Sequence, residues 1–329
     1  MGKQEVKTEM IRNYRTTDFS ALAVLWNTAG TAQGYAPQTP EALAPLLTEH
    51  PYFSPDHTFV LEEAGAVAGF VCGCTGDDLP QGGTRGYFTC LLLDRDHEDR
   101  ENAAALLAAL EDSFRRAGKV QAAMTFFNPM RLPWVIPGTD GHQHNNCPGI
   151  AEDLPLHRWM TELGWQVRAR ECAMYLDLAR FHLPDWVEEK ARALAAEGYS
   201  VAWYQSGKHR GLAEMVHALG NPMWDAEIPA AAERINMLVA LRGDEAVGFT
   251  GPVYPEPTGR GYFAGIAVAR EHEGHGLGTL LFYRLCQAEK DAGSRYMSLF
   301  TGSDNHAQKI YLGAGFQVRR VFSVVTKEL

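Results

Sequence analysis

The sequence predicts a two-domain α/β protein in which strands and flanking helices form α+β layers. Strand-like runs and helical segments follow each other in the same order in both halves of the 329 residues. The segment RGYF at 85–88 recurs as RGYF at 260–263, and only the second copy leads into a glycine-rich turn. We infer an internal duplication with a specialised turn in its second copy.

Composition limits the classes of partner. The chain is long enough for two complete cores, and 46% of its residues are apolar. Its net charge of −10 argues against a nucleic-acid partner and is compatible with a cationic or amine substrate. No apolar leader or membrane-length run is present, so we expect a cytoplasmic protein without a membrane partner. The scattered cysteines fit reduced, buried thiols better than a disulfide framework: Cys72, Cys74, Cys90, Cys147, Cys172 and Cys286.

The repeat sets the expected domain boundaries. RDHE at 95–98 aligns with REHE at 270–273, at the same offset of 175 residues as RGYF. LGW at 163–165 aligns with AGF at 314–316 at a smaller offset, which predicts an insertion at about 128–151 in the first half. We therefore expect a first domain at 1–180, a helical connector at 181–198 and a second domain at 199–329.

The glycine-rich turn carries the clearest functional signal. Three glycines alternate in EGHGLG at 273–278, directly before a helix predicted at 279–292. Uncovered N–H groups and the positive end of the helix dipole suit a phosphate. A dinucleotide fingerprint needs G-x-G-x-x-G and a P-loop needs Gly-Lys-Ser/Thr, and the turn has neither. It predicts either another phosphorylated cofactor or a plain β–α turn without a ligand.

This turn resembles motif A of the GNAT acyltransferase superfamily, Q/R-x-x-G-x-G/A, in which loop amides hold the pyrophosphate of acetyl-CoA. Glu273 stands where the family has Gln or Arg, which brings a carboxylate near the diphosphate. The segment SDNHAQKIYLGAGF at 303–316 resembles motif B, N-x-x-A-x-x-L-Y-x-x-x-G-F, with Asp304 in the Asn position and Tyr311 in the Tyr position. The second half is thereby identified as GNAT-like.

The resemblance implies a mostly antiparallel, splayed mixed sheet in each domain. It also implies acetyl-CoA as co-substrate, transfer of the acetyl group to the amine of a small molecule or peptide, and Tyr311 as the acid that protonates the departing thiolate. Backbone N–H groups of the fourth strand would hold the pantetheine. The implied cofactor-binding residues are Ile266, Ala267, Val268, Glu273, Gly274, His275, Gly276, Leu277, Gly278, Thr279, Asp304, Ala307 and Tyr311.

The general base is harder to name, because Tyr262 is the only ionisable residue in 262–268. A more distant group acting through water would then serve. Two of the candidates lie in a predicted loop at 220–229, and the resemblance implies that this loop covers the acceptor. Trp224 in the same loop either lines the acceptor pocket or packs in the protein core. The candidates are Asp225, Glu227, Glu256, Asp304 and His306, of which we select Asp225 and Asp304 as catalytic residues beside Tyr311.

The first half departs from the family at the same positions. In place of the three glycines of the turn and the motif-B tyrosine it has Asp99, Glu101, Ala103 and Met160. Two carboxylates would stand where a pyrophosphate lies. We expect a GNAT fold without an acetyl-CoA site, which shapes the substrate cleft, supports the second half or mediates assembly. A homodimer is compatible with the sequence.

The predicted insertion contains His142, His144 and Cys147. These could offer three metal ligands, but paired-ligand spacing and a fourth ligand are missing, so a turn-rich loop is favoured and no metal is expected.

A second function class stays open beside the acetyltransferase. The glycine turn would equally serve a non-catalytic acyl-CoA-binding sensor or regulatory protein. Tyr311 favours the enzyme, whereas Glu273 and the lack of a base on the strand favour the sensor.

Overall fold

The computed structural model describes residues 9–126 and 128–329, so residues 1–8 of the predicted first domain and Phe127 lie outside it. By packing, the chain divides into unit 1, Met1–Cys172 with Arg320–Leu329, and unit 2, Ala173–Arg319. The predicted boundaries at 180 and 198 stay predictions. No helix in the described part of the chain is long and apolar enough to cross a membrane.

The strands are numbered along the chain, and β9 and β16 each run from one unit into the other. Their bounds are β1 Glu9–Asn13, β2 Thr58–Glu63, β3 Ala66–Cys74, β4 Arg85–Leu93, β5 Gln121–Met124, β6 Trp134–Val135, β7 Gln143–His144, β8 Ile150–Ala151, β9 Gln166–Asp177, β10 Tyr199–Trp203, β11 Leu238–Arg242, β12 Glu245–Gly251, β13 Arg260–Gly261, β14 Gly265–Val268, β15 Tyr296–Gly302 and β16 Gln317–Glu328.

The helices are numbered in the same way, with short 3-10 turns between several of them. Their bounds are α1 Phe19–Leu25, α2 Thr31–Gln33, α3 Pro40–Leu43, α4 Arg100–Arg116, α5 Pro155–Glu162, α6 Asp185–Ala196, α7 Leu212–Ala218, α8 Pro222–Ala232, α9 Leu277–Asp291 and α10 Gln308–Gly313.

Unit 1 is built on a mixed sheet. Strands β1 to β4 form antiparallel pairs in sequence order, β5 is parallel to β4, and β16 is antiparallel to β5. Helix α4 places apolar side chains four residues apart along one face, which is the spacing that faces a core. The buried residues of this face are Leu106, Leu110 and Phe114.

Unit 2 has a four-stranded antiparallel sheet in the order β10-β11-β12-β14, and β13 pairs in parallel with β15. The predicted single strand at 260–268 is therefore interrupted at 262–264. Helices α7 and α8 and the central strands share one core, formed by Leu212, Met215, Val216, Ile228, Met237, Val239, Leu241, Ala246 and Phe249.

Strand pairing repeats between the units at the spacing of the sequence repeat. Within unit 1, Arg85 pairs with Gln121, and within unit 2, Arg260 pairs with Tyr296. Both residues of the second pair lie 175 positions after their counterparts in the first pair. The repeated Arg-Gly also has a packing reason. A side chain at Gly86 would collide with the Phe114 ring, and one at Gly261 would meet Glu289 Oε2 at 2.7 Å.

The insertion at 128–151 is an ordered part of unit 1. Its strands β6 and β7 form an antiparallel hairpin, and β8 pairs with β16. His144 and Cys147 are both buried, and Cys147 Sγ contacts the carbonyl oxygen of Gly149 at 3.4 Å. Within the described residues, no group of three His, Cys, Asp or Glu side chains could hold a metal ion.

Candidate active site

The glycine turn of unit 2 leaves the N-terminus of α9 without a side-chain cap. Gly274 and Gly276 adopt left-handed φ angles of 84° and 85°, which favour glycine. Gly276 is the N-cap of α9 and makes no side-chain capping bond. The first N–H groups of α9 therefore have no partner from the cap residue, as an anion site requires.

Polar side chains from α6, from the residue that follows it and from β10 hold this turn in place. His275 Nδ1 lies 2.7 Å from Glu197 Oε2, and His272 Nδ1 lies 2.9 Å from the Tyr199 hydroxyl. Lys190 Nζ donates to the carbonyl oxygen of His275 at 3.3 Å. A side chain at Gly276 would collide with this ammonium group.

Lys190 is a functional candidate that the sequence did not reveal. It lies 85 residues before His275, in the segment predicted as a connector, and no local motif includes it. Among the described residues it has no carboxylate partner within ion-pair distance, so its charge is available to an anion at the turn. A cation here opposes the unfavourable charge of Glu273.

The corresponding helix end in unit 1 is capped by its own side chain. Asp99 is the N-cap of α4, and its carboxylate accepts hydrogen bonds from Asn102 N at 2.8 Å and Asn102 Nδ2 at 3.0 Å. The donor that would face a phosphate is thus already used. Position 99 is where the second half has Gly274.

One edge of β14 in unit 2 is open. Ala269 N donates to Val247 O at 2.8 Å, toward β12. Because backbone groups alternate in an antiparallel pair, those of Ala267 also face β12, whereas those of Ile266 and Val268 face the other edge. No strand pairs with that edge in the described parts of the chain. Its N–H and C=O groups can bind an extended, amide-containing ligand.

The equivalent edge in unit 1 is filled by side chains of the same unit. Gln33 Nε2 donates to the carbonyl oxygen of Leu91 at 3.0 Å, and Asn128 Nδ2 donates to that of Phe88 at 2.6 Å. The Asn128 contact is buried. Strand β4 therefore lacks the free edge that β14 has.

Tyr311 lies on α10 and is 5% exposed. Its ring packs against Phe282, with centroids 4.7 Å apart, and against Phe316 at 6.3 Å. Within residues 9–126 and 128–329 its hydroxyl has no hydrogen-bond partner. Burial raises the pKa of Tyr311 to about 12, so the hydroxyl keeps its proton at neutral pH. Asp304, the other motif-B candidate, is exposed.

The segment predicted as a loop at 220–229 is helical, because Asn221 caps α8 and Pro222 occupies its first turn. Asp225 therefore lies on a helix. Its carboxylate is 3.0 Å from His217 Nδ1, and both side chains are exposed. The carboxylate of Glu227 instead accepts a hydrogen bond from the Tyr262 hydroxyl at 2.7 Å.

The uncapped start of α9 and the open edge of β14 define a candidate site for a phosphorylated ligand with an extended, amide-containing arm. The sequence profile of the acetyltransferase (GNAT) family matches residues 22–129 and 202–316, and the chain belongs to this family. The double match agrees with the predicted duplication. No curated protein matches the chain.

Solved structures of GNAT proteins share the fold at low sequence identity. The glucosamine N-acetyltransferase region of a fungal multi-domain GH3 β-N-acetylglucosaminidase has a TM-score of 0.67 at 15% identity; 98% of this chain is covered, but only 38% of the fungal chain. An N-acetyltransferase from Sphaerobacter thermophilus has a TM-score of 0.61 at 15% identity, covering 97% and 95%. A tandem GNAT protein from the clavulanic acid biosynthesis pathway has a TM-score of 0.56 at 18% identity, covering 98% of each chain.

Proposed function

We propose that unit 2 binds acetyl-CoA and transfers its acetyl group to the amine of a small molecule or peptide. One contrast carries the proposal: Gly276 leaves the N-terminus of α9 uncapped, whereas Asp99 caps α4 with its own carboxylate. In this proposal unit 1 has no acetyl-CoA site and has a supporting role.

The residues present fit the cofactor. The bare donors of α9 and the ammonium group of Lys190 suit a diphosphate, and the open edge of β14 suits an amide-rich arm. When bound, acetyl-CoA supplies an acetyl group activated as a thioester. The outward N–H groups of Ile266 and Val268 would orient that arm.

Tyr311 has the protonation state that an acid needs. Its hydroxyl is protonated at neutral pH and is not engaged by another described residue. We propose that it donates its proton to the leaving thiolate. Asp225 and Asp304 stay our candidates for the base, and both are exposed enough to act through water.

Two glycines at opposite ends of α9 allow a matched test. Gly276 and Gly293 have φ angles of 85° and 93°, so a side chain strains the backbone at either position. Only at Gly276 does it also meet the side chain of Lys190. We expect calorimetry to find one acetyl-CoA site per chain, lost in Gly276→Glu and kept in Gly293→Glu.

The outcomes separate the two classes of function. Binding that survives in Gly276→Glu would contradict the proposed site. Binding without CoA release in the presence of any amine would favour a non-catalytic acyl-CoA sensor. Glucosamine, the amine in the name of the fungal structure, is one acceptor to include.

The state of the cysteines bears on the compartment. All six are free and buried, among them Cys72, Cys90 and Cys286. Disulfides are rare in reducing compartments, so we propose that the protein works in the cytoplasm.

A further inference from the structure

Helix α8 lies against the chain segment that joins β13 to β14. Trp224 Nε1 donates to the carbonyl oxygen of Ala264 at 3.1 Å, and the Trp224 ring covers Gly265 so closely that no side chain would fit there. The ring also meets Phe249 edge-on at 5.4 Å. These contacts fix the first turns of α8 directly beside Ile266, where the proposed cofactor arm begins.

Glu227 lies one turn further along the same face of α8. Residues three apart on a helix are neighbours, so Trp224 and Glu227 approach the same segment. Glu227 Oε1 accepts a hydrogen bond from the Tyr262 hydroxyl, with the two oxygens 2.7 Å apart. The carboxylate is thereby held beside Tyr262, which lies four residues before Ile266 in the chain.

A second aromatic ring supports this carboxylate site. Tyr254 stacks on Tyr262, with centroids 4.8 Å apart and planes 18° from parallel. Tyr262 N also donates to the carbonyl oxygen of Tyr254 at 3.0 Å, which fixes the two residues against each other. Burial, and next the Glu227 carboxylate, raise the pKa of Tyr262 well above its ordinary value, so it stays a hydrogen-bond donor.

Among the described residues, Glu256 and Asp225 have charged partners, whereas Glu227 has none. Glu256 accepts from Arg260 Nε at 2.6 Å, and Asp225 faces His217. Within the described residues Glu227 has the Tyr262 hydroxyl as its partner and no cationic side chain. A half-buried carboxylate without a counter-ion is unfavourable, and a ligand cation would compensate it.

We propose that Glu227 and the stacked rings of Tyr254 and Tyr262 bind the amino group of the acceptor as an ammonium. Its proton would pass through water to the proposed base, and the neutral nitrogen would then attack the thioester carbonyl carbon. The inference rests on the proposed acetyl transfer and adds the residues that would bind its acceptor. The carboxylate forms the charged hydrogen bond, and aromatic rings favour a nearby cation. The negative charge of the whole chain attracts the same class of substrate.

The test uses the full chain with saturating acetyl-CoA and a panel of primary amines. The probes are 2-phenylethylamine, glucosamine, spermidine and a lysine-containing peptide, with 2-phenylethanol as the uncharged counterpart. CoA release is measured. We expect at least one amine, and not the alcohol, to raise the rate above that in buffer.

The decisive variant is Glu227→Gln, which keeps the shape of the side chain and removes its charge. We expect it to raise KM for the accepted amine by roughly 10- to 100-fold, as for the loss of a charged hydrogen bond, and to leave the Kd for acetyl-CoA unchanged. Glu233→Gln, at the exposed end of the same helix, should change neither constant.

A second variant guards against a merely structural effect of the first. Tyr262→Phe removes the hydroxyl that fixes the carboxylate but keeps the charge and the ring, so we expect KM to rise by only about 3- to 10-fold. Normal acetyl-CoA binding shows that each variant is folded.

Three results would overturn the acceptor site. They are an unchanged KM in Glu227→Gln, an equal loss in Glu233→Gln, and acetyl-CoA binding with no rate increase from any amine. If the wild-type chain does not bind acetyl-CoA, this result would instead refute the proposed function, and with it the acceptor site.

Discussion

Lys190 Nζ lies 3.3 Å from the carbonyl oxygen of His275, so an ammonium group from α6 reaches the glycine turn before α9. The turn itself supplies uncapped N–H groups and carries the acidic Glu273. The positive charge that this turn lacks in its own sequence therefore comes from a helix far upstream in the chain.

Removal of the Lys190 charge should weaken cofactor binding. We expect Lys190→Ala to raise the Kd for acetyl-CoA by about 10-fold, the range of one charge-assisted hydrogen bond, and Lys190→Arg to restore most of the affinity. The difference should shrink at high salt. Calorimetry measures it, with the exposed Lys208→Ala as control, and equal affinities in Lys190→Ala and wild type would contradict the assignment.

Tyr311→Phe should separate binding from chemistry. Loss of a general acid lowers kcat by roughly 100-fold, while acetyl-CoA binding stays unchanged because the ring is kept. An acid acts in its protonated form, and the pKa of Tyr311 is raised to about 12. The wild-type kcat should thus show no falling limb from this residue between about pH 7 and about pH 10. Equal kcat values for variant and wild type would remove Tyr311 from the mechanism.

Glu289 should make the folded state less stable as pH rises. The side chain is fully buried, and burial raises its pKa to about 7, against about 4.3 in an unfolded chain. Between these values the folded state binds more protons, so stability falls as pH increases and the loss is complete above about pH 7.

The variant Glu289→Gln tests this dependence. It should remove a destabilisation of roughly 2–4 kcal/mol at about pH 8 and have little effect at about pH 5. Ser294 Oγ, now 2.6 Å from Glu289 Oε2, can accept from the amide as well as donate. Thermal unfolding at both pH values measures the effect, with the exposed Glu189→Gln as control. The same pH slope in variant and wild type would show that Glu289 does not titrate in this range.

Asn128 should matter for stability and not for the cofactor. Its side chain donates to the carbonyl oxygen of Phe88 and accepts from Met130 N at 3.1 Å. Asn128→Ala leaves both backbone groups buried without a partner, at a cost of roughly 2–3 kcal/mol. We expect a lower unfolding temperature, an unchanged Kd for acetyl-CoA, and no effect of the exposed Arg131→Ala. A weaker Kd would mean that unit 1 contributes to the cofactor site.

The repeat and the glycine turn could be predicted because local residues determine them. Alternating glycines before an apolar helix and the recurrence of RGYF are visible along the chain. The prediction of a loop up to Pro229, over the first part of α8, was wrong although Asn221 and Pro222 are typical N-terminal signals, because Pro229 within the segment indicates a break. The strand at 260–268 was predicted as continuous, since the hydrogen bond from Trp224 Nε1 to the carbonyl oxygen of Ala264, in the interruption, has no local signal.

Contacts between distant residues account for the rest. The approach of Lys190 to His275 and of Glu227 to Tyr262 depends on how helices pack on strands, and neither pair shares a motif. The filled edge of β4 is similar, because Gln33 and Asn128 are ordinary polar residues until the fold brings them to Leu91 and Phe88. Sequence periodicity carries no information on such pairings.

The part of β16 from Arg320 onward belongs to the first unit. Val325 pairs with Met124 in β5, and Lys327 Nζ lies 2.8 Å from both carboxylate oxygens of the buried Glu111. During synthesis, β5 therefore lacks its β16 partner until residues 320–329 emerge from the ribosome, and these residues follow all of unit 2 in the chain. A chain cut before Arg320 would expose this edge of β5, and exposed strand edges are prone to aggregation.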